Sequence, residues 1–107
     1  MDNKVDNIVN HAERSEKAIE RYLCAAVKKL GGICLKYSNA NAVGYPDRVA
    51  LLPTGVTIWF EIKSKGKRPT KMQSIRHAGM RLIGHAVYVV DSKDEVNNIL
   101  KTYGYAV

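Results

Sequence analysis

Near the middle of the chain, Thr57-Ile58-Trp59-Phe60-Glu61-Ile62-Lys63 alternates apolar and polar side chains. A β-strand sends successive side chains to opposite faces. Ile58, Phe60 and Ile62 would then meet a core, while Trp59, Glu61 and Lys63 share the other face. Glu61 and Lys63 lie about 6.6 Å apart along such a strand, at about 3.3 Å per residue. At that spacing a carboxylate can hold a metal ion while the ammonium reaches a water or phosphate oxygen beside it. Asp47, at the head of the preceding strand, could sit across from the pair. A Mg²⁺ ion between Asp47 and Glu61 would relieve the repulsion of adjacent carboxylates. Hard oxygen ligands, completed by waters and phosphate, are what Mg²⁺ accepts.

By itself Glu-x-Lys carries little weight. With five Glu and eleven Lys in 107 residues, about 0.5 such pairs arise by chance, and a solvated strand face with a modest ion pair accounts for one. The context shifts the balance. Pro46-Asp47 stands at a strand start one hairpin upstream, and a helix carrying Gln73 follows downstream.

The elements that must position these residues read as α-β-β-β-α-β-α. From Ser15 a helix places Ile19, Leu23, Ala26 and Leu30 on one stripe, and Gly31-Gly32 stops it. Ile33 to Tyr37 alternates as a short strand, and residues 38–44 form a loop rich in turn formers. Asp47 to Leu52 and Val56 to Lys63 read as an antiparallel hairpin across Pro53-Thr54-Gly55. After the basic loop 64–69, Thr70 caps a helix that runs to about Leu82 and ends at Gly84. Ala86 to Val90 is a buried strand, and Ser92-x-x-Glu95 opens a last helix as a capping box. A strand–helix–strand step needs a crossover, so the sheet is mixed and flanked by helices.

Length and composition set the frame. A chain of 107 residues is one domain, residues 1–107, long enough for a single core. Residues 1–14 lack an apolar period and read as a flexible or helical lead-in, without the features of a signal peptide. No apolar run approaches the roughly 18 residues of a membrane helix. Cys24 and Cys34 fit no metal-binding spacing and read as reduced thiols of a cytoplasmic protein. Lys and Arg number 17 against 10 Asp and Glu, for a net charge of +7. Such a field attracts polyanions, phosphate backbones above all, although it serves solubility as well.

The combination resembles the VRR-NUC branch of the PD-(D/E)XK nucleases. The resemblance rests on Gly44-Tyr45-Pro46-Asp47-Arg48, Trp59-Phe60-Glu61-Ile62-Lys63-Ser64 and Gln73. Ala18-Ile19-Glu20-Arg21-Tyr22-Leu23, Gly31-Gly32 and Gly84-His85-Ala86-Val87-Tyr88-Val89-Val90-Asp91 also fit. It covers residues 15–101 and looks like the stand-alone phage and bacterial type. It implies a restriction-endonuclease-like fold and hydrolysis of DNA phosphodiesters with Mg²⁺, which Mn²⁺ can replace. Asp47 and Glu61 would be metal ligands, with the Ile62 carbonyl as a third and Glu20 contributing directly or through water. Lys63 would position the attacking water or stabilise charge at phosphorus, and Gln73 would help order the site. The resemblance further implies a homodimer acting on branched DNA such as four-way junctions, in the cytoplasm of a phage-infected or bacterial cell.

Rival readings accompany several of these residues. Glu20 lies at the edge of the apolar stripe, where it could pair with Lys17 or Arg21, and Glu16 shares its flank. Gln73 completes a Thr70-x-x-Gln73 capping box. Lys65, Lys67, Arg68 and Lys71 suit DNA-backbone contact but also a solvated loop. Arg48 could clamp a phosphate or pair with an acid. His77, one turn beyond Gln73, could line the groove but reads more readily as a surface residue, and His11 and His85 read as structural. Tyr22, Tyr37, Tyr45 and Trp59 could stack on bases or pack. A non-catalytic basic module that only binds nucleic acid remains the alternative to a nuclease.

Overall fold

A computed structural model describes residues 15–107, and the lead-in read over residues 1–14 lies outside them. Ser15 accepts the Ala18 N–H through Oγ at 3.1 Å and so starts helix α1, Glu16–Lys29. Glu16 in its first turn and Lys28 and Lys29 in its last match the helix dipole. Ile19, Leu23 and Val27 are fully buried, while Ala26 and Leu30 pack only at the rim. The expected stripe had Ala26 in place of Val27. The helix is turned by roughly 30° about its axis, because the larger Val27 gains more by burial.

Four strands follow the expected order with shorter bounds: β1 Ile33–Lys36, β2 Arg48–Leu52, β3 Val56–Ile62 and β4 Val87–Val90. They lie side by side as β1-β2-β3-β4, antiparallel except for the parallel β3–β4 pair. Helix α2, Lys71–Leu82, supplies the crossover between β3 and β4, and α3, Lys93–Thr102, follows. A single 3₁₀ turn at Pro53–Gly55 joins β2 to β3, with Thr54 and Gly55 both at positive φ. Strand β2 begins at Arg48 rather than Asp47. Extending its register would set Pro46 against Ile62, and proline has no N–H for the ladder. The Asp47 carboxylate takes the Ile62 N–H instead, at 3.0 Å.

One face of the sheet holds the core. Ala50, Leu52, Ile58, Phe60, Ile62 and Val90 form a single buried cluster with Ile19, Leu23 and Val27 of α1 and Val96 and Leu100 of α3. Each of these side chains except Ala50 contributes about 1.5–3 kcal/mol on burial. Alternation sends Asp47, Val49, Trp59 and Glu61 to the opposite face, and α2 lies on that side, where its His77 meets Glu61. Two halves of the sheet are treated differently there. Val87 is buried, whereas Ile33, Leu35 and Leu51 are 57%, 47% and 39% exposed.

Two glycines allow close approach. A Cβ on Gly32 would stand 2.6 Å from the Leu51 carbonyl oxygen and 2.9 Å from Val27 Cγ1. Gly44, at φ +96°, lets the loop before Asp47 run against Met72 and Arg76 of α2. Gly79, by contrast, is helical with nothing near its missing Cβ. Gly32→Ala should therefore destabilise the fold by about 2 kcal/mol or more through backbone overlap. Gly79→Ala should stabilise it by about 0.5–1 kcal/mol. Urea unfolding midpoints of the two variants should move in opposite directions.

Candidate active site

The β2–β3 register, with Arg48 opposite Phe60, places Asp47 opposite Glu61 at the open end of the hairpin. Asp47 is held there twice. Its carbonyl accepts the Tyr37 N–H at 2.8 Å and its Oδ2 accepts the Ile62 N–H at 3.0 Å. Glu61 is 1% exposed. Burial, then the hydrogen bond and charge of Asp47, push its carboxyl up to about 9, with Glu16 adding a little and Lys63 opposing. Lys63 anchors its own backbone by donating N–H to the Val90 carbonyl at 2.9 Å. Two carboxyls and an ammonium thus share the end of one sheet face.

His77 belongs to the same site. Its Nε2 lies 3.2 Å from Glu61 Oε1, and it too is 1% exposed. The surface position read from the sequence is corrected here: α2 turns residue 77 inward onto β3. Burial, followed by the Arg81 charge, lowers its pKa, and Lys63 also lowers it. Gln73, one turn earlier, is engaged at the helix start. Its Oε1 accepts the Thr70 N–H at 2.9 Å, and its own N–H reaches Thr70 Oγ1 at 3.2 Å. The capping box is complete, and its side chain makes no hydrogen bond to Asp47, Glu61 or Lys63.

Glu20 and Arg48 form an ion pair, Oε2 to Nε at 3.3 Å. Arg48 shares the face of Ala50 and Leu52, toward α1, whereas Asp47 and Glu61 point through the other face. The pairing keeps Glu20 with Arg48 rather than with the two carboxyls. Among the described residues no three His, Cys, Asp or Glu side chains gather about one point suited to a metal ion. The donor set offered by side chains is the Asp47–Glu61 pair.

The loop that follows Lys63 is basic, and aromatic rings cluster beside Trp59. Lys65 Nζ lies 3.7 Å from Asp91 Oδ1, and Asp91 Oδ2 accepts the Gly66 N–H at 3.0 Å. These contacts pin the loop between β3 and α2. Lys67, Arg68 and Lys71 are exposed and enter none of the ion pairs among the described residues. Lys67 and Arg68 line a cavity of about 260 Å³ with Asp91 and Glu95. Tyr37 sets its ring edge-on to Trp59 at 5.5 Å and to Tyr45 at 6.4 Å, and the Arg76 guanidinium lies 5.1 Å over Tyr45. Tyr22 packs at the core instead, donating its hydroxyl to Asn97 Oδ1 at 2.7 Å.

No protein-family model matches the chain. Over 79 residues it is 42% identical to "Putative nuclease p44" of Acyrthosiphon pisum secondary endosymbiont phage 1, across 74% of this chain and 85% of that protein. A solved VRR_NUC domain superposes with a TM-score of 0.76 at 31% identity, covering 84% of this chain and 97% of the other. The chain belongs to the VRR-NUC nuclease family. Its mixed four-stranded sheet and flanking helices are the restriction-endonuclease-like fold of that family. In this VRR-NUC domain Asp47, Glu61 and Lys63 converge, while Glu20 and Gln73 are bound to other partners. His77 is the site residue for which the sequence favoured a surface position over one lining the groove. A Gln73-x-x-x-His77 spacing put it on Gln73's helix face, but nothing local could show that this face meets Glu61.

The Glu61 shift has a measurable sign. Its folded value, about 9, lies above the ordinary 4.5, so the folded state keeps a proton that the unfolded chain releases. Stability then falls as pH rises through that window, by at most about 1.4 kcal/mol per pH unit. His77 acts in the opposite sense because its pKa is lowered from 6.5, yet it is neutral in both states above about pH 7.5. Metal-free protein should therefore lose melting temperature between pH 7.5 and 9, and Glu61→Gln should lose less. Parallel slopes for the two proteins would show that Glu61 carries no such proton.

Proposed function

We propose that this VRR-NUC domain is a metal-dependent DNA endonuclease that hydrolyses phosphodiester bonds, selective for branched DNA such as four-way junctions. The observation that carries the reading is the Asp47–Glu61 pair with Lys63 beside it. Two adjacent carboxyls, of which Glu61 is buried and raised to about 9, form a donor set that a hard divalent cation would neutralise. Asp47 and Glu61 suit Mg²⁺ as side-chain ligands, with the Ile62 carbonyl as a third and Mn²⁺ as a substitute. When bound, such an ion supplies charge neutralisation at phosphorus and a more acidic water.

The chain's own residues do the remaining work. Asp47, locked by the Ile62 N–H, and Glu61, locked by His77, hold their oxygens in fixed directions. Lys63 places a positive charge where negative charge develops on the phosphoryl oxygens, a contribution that preorganisation makes large. Lys67, Arg68 and Lys71 face solvent beside this site and suit phosphate backbone, and the net charge of +7 draws DNA toward it. Lys65 joins them from its contact with Asp91.

A single site on so small a domain cuts one strand, so a junction is best served by a homodimer. The exposed Ile33, Leu35 and Leu51 on the sheet and Met72 and Ile75 on α2 suit the apolar surface such a pairing needs. The cell interior is the compartment where such a substrate lies. No helix among the described residues is long and apolar enough to cross a membrane.

Cleavage of a panel of flap, splayed-arm, four-way-junction, duplex and single-stranded DNA with Mg²⁺ or Mn²⁺ tests the reading. Cutting should require the metal, and Lys63→Ala and Glu61→Gln should each lower the rate by about 10²–10³-fold or more while keeping their fold. Salt-dependent binding without product under any condition would favour a purely binding module. Light scattering should give twice the mass of one chain, falling toward one chain when Leu35→Lys is introduced.

A further inference from the structure

We propose that His77 is a positioning residue that fixes the Glu61 carboxylate by a hydrogen bond from Nε2, so that the opposite carboxylate oxygen is held for the divalent cation. This rests on the reading of Asp47 and Glu61 as the pair that holds that cation. The geometry supporting it is internal to the fold. His77 is the only residue of α2 that is fully buried, so the one side chain this helix sinks into the domain is polar and ends on Glu61 Oε1 at 3.2 Å. Packing alone would be met by a leucine or phenylalanine of similar volume. Burying an imidazole against a carboxyl costs desolvation that apolar packing avoids.

The helix is also held in place along its length. At its start the Thr70–Gln73 capping box is closed. Near its middle, Arg76 Nε donates to the Val43 carbonyl at 3.1 Å, and Gly44 lets that loop lie against Met72 and Arg76. Near its end Arg81 Nε donates to the Val87 carbonyl at 3.0 Å on β4. Residue 77 lies between these anchors. The backbone that carries the ring is therefore held in place, and a swing of the carboxylate away from it would lengthen the contact. With the cation bound Glu61 would be ionised, and an ionised carboxylate only accepts hydrogen bonds, so the proton between the two groups would then sit on Nε2. Outer partners of this kind typically change metal affinity 10–100-fold.

Mn²⁺ binding followed by electron paramagnetic resonance separates the possibilities, using wild type, His77→Leu, His77→Gln and Glu61→Gln. His77→Leu should weaken Mn²⁺ binding by about 10–100-fold. His77→Gln, whose amide nitrogen reaches the same place with an N–H, should restore most of it. Turnover at saturating Mn²⁺ should follow the same order, with KM for DNA unchanged. Wild-type affinity in folded His77→Leu would overturn the proposal. Mn²⁺ affinity in wild type that Glu61→Gln leaves unaltered would overturn the underlying metal site as well, which distinguishes the two failures. Should His77→Leu not fold, two-bond ¹⁵N correlations of the wild-type imidazole in saturating Mg²⁺ decide: a proton on Nε2 supports the proposal, and one on Nδ1 alone overturns it.

Discussion

The constraint on which this domain turns is the burial of a carboxyl at the end of its central hairpin, beside a second carboxyl. Water can no longer solvate Glu61, and Asp47 resists its ionisation. The groups near the pair answer that problem by hydrogen bonds or by charge. The Ile62 N–H satisfies Asp47, His77 meets Glu61, and Lys63 supplies opposing charge. A buried carboxyl set beside a second one would be a defect in a domain that only had to fold. On the proposed reading, a divalent cation completes the arrangement.

The sheet explains how this site is held without weakening the core. Alternation along β3 sends Ile58, Phe60 and Ile62 into the cluster beneath α1 and α3, and the intervening Trp59, Glu61 and Lys63 to the side of α2. Core and chemistry occupy opposite faces of the same seven residues. The parallel β3–β4 step then matters because it forces a crossover, and that crossover is the helix that carries His77. A hairpin in its place would have left Glu61 open to solvent.

Much of this was legible in the chain, for identifiable reasons. The period of two in β3 placed Glu61 with Lys63, and the short Pro53-Thr54-Gly55 link implied an antiparallel partner bringing Asp47 across. The Thr70–Gln73 cap was readable because its partners are three residues apart. What escaped depended on long-range orientation. A turn of roughly 30° in α1 brought Val27 inward, a rotation that local spacing does not fix. Glu20 found Arg48, 28 residues away, because residue 48 alternates to the α1 face. His77 looked like a surface residue since its own neighbours, Arg76 and Arg81 among them, are polar, and its partner lies 16 residues away on another element.

Trp59 is the chain's only tryptophan. It stands two residues before Glu61 on the same face, partly open to solvent, with the Tyr37 ring edge-on at 5.5 Å. Its indole is thus a native optical probe embedded beside the carboxyl pair. Light emitted by the unlabelled protein at tryptophan wavelengths originates from this one place, so changes in polarity or ring contact at the site reach the detector undiluted by fluorophores elsewhere.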